Sequence, residues 1–222
     1  MAKRAYGLII FDLDGTLIDS KRDIANSINF ALGSVGLNPL SETEISGFVG
    51  HGVRALIGQV LGSLEDSRLP MLRKNFQEHY DQHLLDTTQL YAGITELLKS
   101  LPEVELAVVS NKPHRMTEKI LKGLNIEGFF KWVVGGDTYP VMKPNPQVLS
   151  NILAQSQKNR ERLMVGDSSV DIQTGRACGI DTCGVTYGFR PLEELKAAGA
   201  DILVHSVIEL QQVLAGEPDW KL

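Results

Sequence analysis

Cysteine is scarce: Cys178 and Cys183 are the only two in 222 residues. They fall close together, at what reads as a helix end followed by a strand, so no disulfide framework is available and small buried thiols in a reducing, cytoplasmic setting are expected. Long hydrophobic runs are missing too. Nothing approaches the ~20 apolar residues of a membrane span, and the apolar run after Lys3 and Arg4 is interrupted by Asp12 before a signal-peptide core is complete. Basic charge is in deficit, with 22 Lys and Arg against 27 Asp and Glu and a net charge of -5. No dense Lys/Arg block compensates, which excludes the basic stripe of a nucleic-acid surface. Internal repeats and low-complexity segments are also absent. What remains, 43% hydrophobic and 22% charged, is ordinary globular composition with length for one large or two modest domains. Small-molecule chemistry fits it best.

Short unbroken apolar runs do recur: "YGLIIF", "VELAVVS", "WVVGG", "RLMVGD", "DTCGVTY" and "ADILVHS". Each leads into a turn and then an amphipathic segment, the pattern of a parallel sheet wrapped by helices. The spacing predicts helices over residues 93–101, 113–124, with Pro113 in the first turn, 145–157, and 170–177, the last stopped by Gly179. The interval from about Asp19 to Asp86 breaks this rhythm. It contains no convincing strand but several helical patterns: Ser20 can cap "RDIANSINFAL", Ser41 with Glu44 forms a capping box, and "GVRALIGQVL" and "PMLRKNFQEHYDQHLL" add two apolar stripes. A four-helix insertion over the carboxyl end of the first strand, hinged on two linkers, is the simplest packing.

Ligands of an open parallel sheet bind at the carboxyl ends of its strands, where strand order reverses. Those ends deliver Asp12 and Asp14 from the first strand, Ser110 and Asn111 from the second, and Asp167 from "RLMVG", with Asp171 four residues on and Lys143 in "VMKPNP". Burying such carboxylates unpaired costs several kcal/mol, so a positive partner is implied. Oxygen ligands suit a hard cation, and Mg2+ typically takes one or two carboxylates and shares its remaining positions with water and phosphate; Asp12 and Asp167 form the natural pair. One aspartate can attack phosphorus while a second carries a proton to the leaving oxygen. Ser110, Lys143 and backbone N–H groups can cradle the transferring group.

In this order and spacing, "DLDGTL", Ser110, "KPNP" and "GDSSVD" resemble the haloacid dehalogenase superfamily of aspartate-nucleophile phosphatases. The insertion resembles that of its members with an all-helical cap, and the resemblance covers nearly the whole chain. "FDLDGTLIDS", "FVGHGVRALIG", "YAGITELL" and "GVTYGFRPLEELKAAGADILVHSVIEL" are most similar to the phosphoglycolate phosphatases within it. The resemblance implies a Rossmann-like α/β core of residues 1–18 and 87–222 and a helical cap of residues 19–86. It further implies Mg2+-dependent hydrolysis of a small phosphate ester, 2-phosphoglycolate, by a cytoplasmic monomer or homodimer. By that resemblance Asp12 is the nucleophile and a metal ligand, and Asp14 the general acid/base, lending the metal its carbonyl. Ser110 and Asn111 bind the phosphoryl group, and Lys143 holds nucleophile and phosphate together. Asp167 is the second metal ligand, with Asp171 in the outer shell or orienting it. An aspartate at position 14 separates the chain from the dehalogenases, whose leaving group needs no proton.

In the cap, "GHGVR" resembles the family segment that faces the site, which makes Arg54 the candidate for a substrate carboxylate, since a guanidinium fork suits that geometry; His51 is a second candidate there. His79 and His83 have metal-pair spacing but lack a third ligand and read as a solvated helix face. Alternatives on the same fold are a sugar phosphomutase, a pyrophosphatase or a sugar-phosphate phosphatase. A phospho-acceptor switch also combines aspartates, a hydroxyl and a lysine, but needs neither "DGT" nor a cap.

Overall fold

The computed structural model describes residues 6–157 and 161–216; Trp220, at the tail, lies outside them. Strand β1 (Tyr6–Phe11) is buried along its whole length. Its side chains alternate between two apolar clusters: Leu8 and Ile10 join Ala107, Val109 and Met164, while Ile9 and Phe11 join Val108, Leu163 and Val165. A strand covered on both faces needs apolar residues at both parities, which explains the unbroken run.

After β1 come β2 (Ile18–Asp19), α1 (Lys21–Ser34), α2 (Glu42–Ser46), α3 (Val53–Leu61), α4 (Leu69–Gln82), β3 (Gln89–Leu90) and α5 (Ile94–Lys99). The chain continues through β4 (Glu105–Val109), α6 (His114–Gly123), β5 (Trp132–Val134), α7 (Ser150–Gln155), β6 (Glu161–Gly166) and α8 (Ser169–Ala177). It ends with β7 (Asp181–Val185), α9 (Leu192–Ala198), β8 (Ile202–Val204) and α10 (Val207–Ala215). Six strands form one sheet in the order β5-β4-β1-β6-β7-β8, and every pairing in it is parallel. This is the helix-wrapped parallel sheet expected from the six apolar runs. Strand order reverses at β1, since the chain builds β4 and β5 on one side before returning to β6 on the other.

Local departures from expectation have local causes. Residues 145–157 do not form one helix: the Asn145 side chain accepts from the Gln147 N–H, and Pro146 opens a 3-10 turn before α7 begins. Pro113 stands just outside α6 as its N-cap. Ser20 holds the N-cap position of α1 but makes no side-chain cap bond, its backbone at φ -110° and ψ 4° lying outside the extended conformation of a capping residue. The Ser41–Glu44 capping box of α2 is present.

Helices α1 to α4 pack on one another, α1 against α2 and α4, and α3 against α4. The two linkers that join them to the sheet run side by side, because β2 and β3 pair antiparallel through Ile18 with Leu90 and Asp19 with Gln89. Buried Asp23, in the first turn of α1, accepts hydrogen bonds from the N–H and hydroxyl of both Thr87 and Thr88 at 2.6–3.0 Å. Burial alone would raise this carboxyl, but the bonds from Thr87 and Thr88 outweigh it and hold the group below its ordinary value. A depressed folded pKa stabilises at neutral pH, and that contribution is lost as pH falls through the folded value. Asp23→Asn is therefore expected to lower stability at pH 7 by about 2 kcal/mol. Denaturant titrations should show this difference shrinking as pH falls below about 4; a pH-independent difference would contradict the assignment.

Candidate active site

The strand that reverses the sheet order also carries the densest charge. The Asp12 N–H donates to the Val165 carbonyl at 2.9 Å, extending the ladder one residue past β1, and the chain then folds back as the Leu13 carbonyl accepts from Thr16, Leu17 and Ile18. Gly15 turns this corner at φ +82°, and a Cβ there would lie 2.2 Å from Asp167 Oδ2. Only glycine satisfies both the left-handed backbone and the approach of β1's tip to that of β6.

Four carboxylates, Asp12, Asp14, Asp167 and Asp171, are buried here with two ammonium groups, Lys112 and Lys143. Lys143 Nζ donates to Asp12 Oδ1 at 2.7 Å and to Asp171 Oδ1 at 2.6 Å. Lys112 Nζ donates to Asp14 Oδ1 at 2.6 Å and to the Tyr80 hydroxyl at 2.7 Å. Burial alone would lower both ammonium groups, but the paired carboxylates hold each above its ordinary value. The carboxylates remain short of positive charge. Burial pushes the Asp12 carboxyl up to about 7, against the pull of Lys143 and with the push of Asp171 and Asp14. Asp167 is raised well above its ordinary value by burial and by Asp12 and Asp171, despite accepting the Phe189 N–H at 2.7 Å and lying near Arg190.

This deficit is what a divalent cation would satisfy. One oxygen from each of Asp12, Asp167 and Asp171 falls in a set whose members all lie within 4.8 Å of one another. Both Asp171 oxygens are already engaged, Oδ1 by Lys143 and Oδ2 by the N–H and hydroxyl of Ser168. Asp12 and Asp167 each keep one oxygen with no hydrogen-bonding partner among the described residues. The donor set thus fits a hard cation between Asp12 and Asp167, with Asp171 behind them steadying Lys143.

The other expected residues are placed as follows. Ser110 is buried at the end of β4 and lines the same pocket, its Oγ accepting the Lys112 N–H at 3.2 Å. Asn111 lines the pocket too, but its side chain is occupied: Oδ1 accepts the Lys143 N–H, and Nδ2 donates to the carbonyls of Lys143 and Gly50. Both amide hydrogens are spent on backbone, so the Asn111 side chain holds the Lys143 loop and does not present its amide to a phosphoryl group. Arg54 and His51 are exposed and stand outside the pocket lining. The insertion closes the pocket instead with Ile24, Val49, Val53, Leu56 and Phe76.

Three participants were not anticipated: Lys112, Tyr80 and Ser20. Ser20 Oγ donates to Asp14 Oδ1 at 2.5 Å, the same oxygen that Lys112 engages. Tyr80 is buried and its phenol is pushed up to about 12 by burial, so it keeps its proton. Lys112 follows Asn111 directly in the turn after β4, and that adjacency was the available signal.

The family model for haloacid dehalogenase-like hydrolases matches residues 9–185. A phosphoglycolate phosphatase of Vibrio parahaemolyticus serotype O3:K6 is 35% identical over 225 aligned residues, covering 97% of this chain and 99% of the relative. The phosphoglycolate phosphatase of Aquifex aeolicus is 37% identical over 185 residues, covering 82% of this chain and 85% of its own. A solved structure from Lactobacillus delbrueckii subsp. bulgaricus matches with a TM-score of 0.89 at 28% identity, covering 96% of this chain and 100% of that one.

The lysine between Asp12 and Asp171 is expected to dominate local stability. Lys143→Met should cost about 3–5 kcal/mol, the usual loss when one partner of a buried ion pair is removed. Adding Asp171→Asn should recover part of it. Urea denaturation in metal-free buffer checks both, and a neutral Lys143→Met would contradict the charge reading.

Proposed function

The chain belongs to the haloacid dehalogenase-like hydrolases, and on that premise we propose that it hydrolyses a small phosphomonoester, 2-phosphoglycolate, through an aspartyl-phosphate on Asp12. The observation that carries this reading is the pairing at the tip of β1. Asp12 and Asp14 each have Oδ1 fixed by a buried lysine, and neither Oδ2 has a hydrogen-bonding partner among the described residues. The free Asp14 oxygen can carry a proton, and of the two Asp12 oxygens one would serve the cation and the other the phosphorus. The names of relatives that span nearly the whole chain support the substrate.

In the proposed reaction an Asp12 oxygen forms a bond to phosphorus as the bond to the substrate oxygen breaks. Asp14 gives its proton to that leaving oxygen, releasing glycolate. The Asp14 carboxylate then takes a proton from the water that attacks the aspartyl-phosphate, restoring Asp12 and freeing inorganic phosphate. Lys143 fixes the nucleophile and faces the charge on the phosphoryl oxygens, Ser110 donates to them, and Asn111 keeps the Lys143 loop in place. Asp12 and Asp167, with the Asp14 carbonyl and with Asp171 in the outer shell, would hold Mg2+, which when bound supplies positive charge to the phosphoryl oxygens. Residues 1–18 and 87–222 serve as catalytic core and 19–86 as cap. No helix of the described residues is long and apolar enough to cross a membrane, and we place the reaction in the cytoplasm.

With Mg2+, the protein is expected to release inorganic phosphate from 2-phosphoglycolate. Chelation should stop the release, and Asp12→Asn should reduce it by about 10⁴-fold or more while the variant still unfolds cooperatively. Near-wild-type turnover by Asp12→Asn would end the covalent reading. Arg54 is the proposed contact for the glycolate carboxylate, and its exposed position requires the first turn of α3 to swing inward. Arg54→Ala should raise KM for 2-phosphoglycolate about tenfold and leave an ester of a neutral alcohol little changed; equal effects on both would remove Arg54 from recognition.

A further inference from the structure

Asp14 is held by two groups, one from the sheet and one from the start of the insertion. Lys112, on the turn after β4, reaches Oδ1 at 2.6 Å. Ser20, between β2 and α1, reaches the same oxygen at 2.5 Å. Two donors converging on one oxygen fix the carboxylate's rotation, and they leave Oδ2 as the oxygen without a hydrogen-bonding partner among the described residues. Lys112 is itself anchored to the sheet: its N–H donates to Ser110 Oγ and its carbonyl accepts the Gly136 N–H at 2.8 Å. Its ammonium then spans to the insertion, donating to the hydroxyl of Tyr80 on α4, whose ring stacks on Phe76.

We propose that Lys112 is the positioning residue for the Asp14 carboxylate, and that Tyr80 makes that position depend on the helical insertion being seated on the sheet. The inference rests on the phosphatase reading above, since it concerns the group that serves the leaving oxygen. The same faces meet elsewhere too, as where Asp81 on α4 accepts from Lys119 on α6 at 2.7 Å. Asn111 Nδ2 donates to the Gly50 carbonyl, and the Arg190 guanidinium donates to the carbonyls of Gly47 and Val49. Lys112–Tyr80 differs from these contacts because its ammonium also touches a carboxylate assigned to the reaction. Lifting α4 removes one of the two groups that orient Nζ, so Asp14 is fully ordered only when the pocket is covered. The acid is thereby assembled around an enclosed substrate, a form of induced fit.

Leaving-group dependence separates positioning of the acid from general loosening of the fold. Glycolate departs as an alkoxide that needs a proton, whereas p-nitrophenolate departs without one, and kcat/KM reports the step in which each leaves. For Lys112→Met, the ratio of kcat/KM for 2-phosphoglycolate to that for p-nitrophenyl phosphate should fall about 30-fold or more, within the range of misplaced general acids. Tyr80→Phe keeps the ring and its packing, and should lower the same ratio by about 3- to 10-fold. A ratio unchanged in Tyr80→Phe overturns the coupling to the insertion. A ratio unchanged in folded Lys112→Met overturns the positioning role. Failure of the wild-type protein to hydrolyse either ester would instead overturn the phosphatase reading itself.

Discussion

Burying four carboxylates around the tip of a core strand, with two ammonium groups to meet them, is the constraint from which the rest of this molecule follows. A carboxylate transferred from water without a partner costs several kcal/mol, and here the cost is shared out in three ways. Lys143 is held between Asp12 and Asp171, Lys112 is held against Asp14, and the remaining imbalance raises Asp12 and Asp167. A hard divalent cation would complete the set, and a substrate phosphoryl group would in turn meet that positive charge.

The sheet exists in a form that concentrates these groups. β1 is central and covered on both faces, so its polar residues can only appear where it ends, and strand order reverses there. Gly15 lets the chain turn against Asp167, and Gly166 lets β6 end against Asp171, whose Cγ would lie 2.2 Å from a Cβ at that glycine. The helical insertion leaves and rejoins the core through adjacent linkers, tied by β2–β3 and by Asp23 with Thr87 and Thr88. It supplies the pocket's apolar wall, and through Tyr80 and Ser20 it also reaches Asp14. Recognition and proton transfer therefore share one moving part in the proposed mechanism.

Much of this was legible in the residue order because strand ends are legible. Six apolar runs marked the sheet, and the ends of three of them yielded Asp12, Asp14, Ser110, Asn111 and Asp167, with Asp171 four residues on and Lys143 on the "VMKPNP" loop. The geometry brings all of these together. Side-chain purpose was harder to read. Ser20 sits where a helix cap belongs, yet its backbone is not in a capping conformation and its hydroxyl donates to Asp14. Tyr80 falls on the apolar stripe of α4 with Leu72 and Phe76, so periodicity reads it as packing alone. Lys112 reads as a surface lysine until a carboxylate 98 residues away is placed beside it. Spacing along a chain also cannot report which oxygen of a carboxylate is occupied. Nor can it report where an amide points: the Asn111 side chain, at a strand end, spends both its donors on backbone.

The account stands or falls on what happens at Asp12 during turnover. Acid-quenching the Mg2+-loaded protein with isotopically labelled substrate and mapping the labelled peptide by mass spectrometry tests it most directly. The account predicts a hydroxylamine-labile phosphoryl group on Asp12 that disappears as substrate is exhausted. Turnover with no label on the chain, or label on any residue other than Asp12, would contradict it.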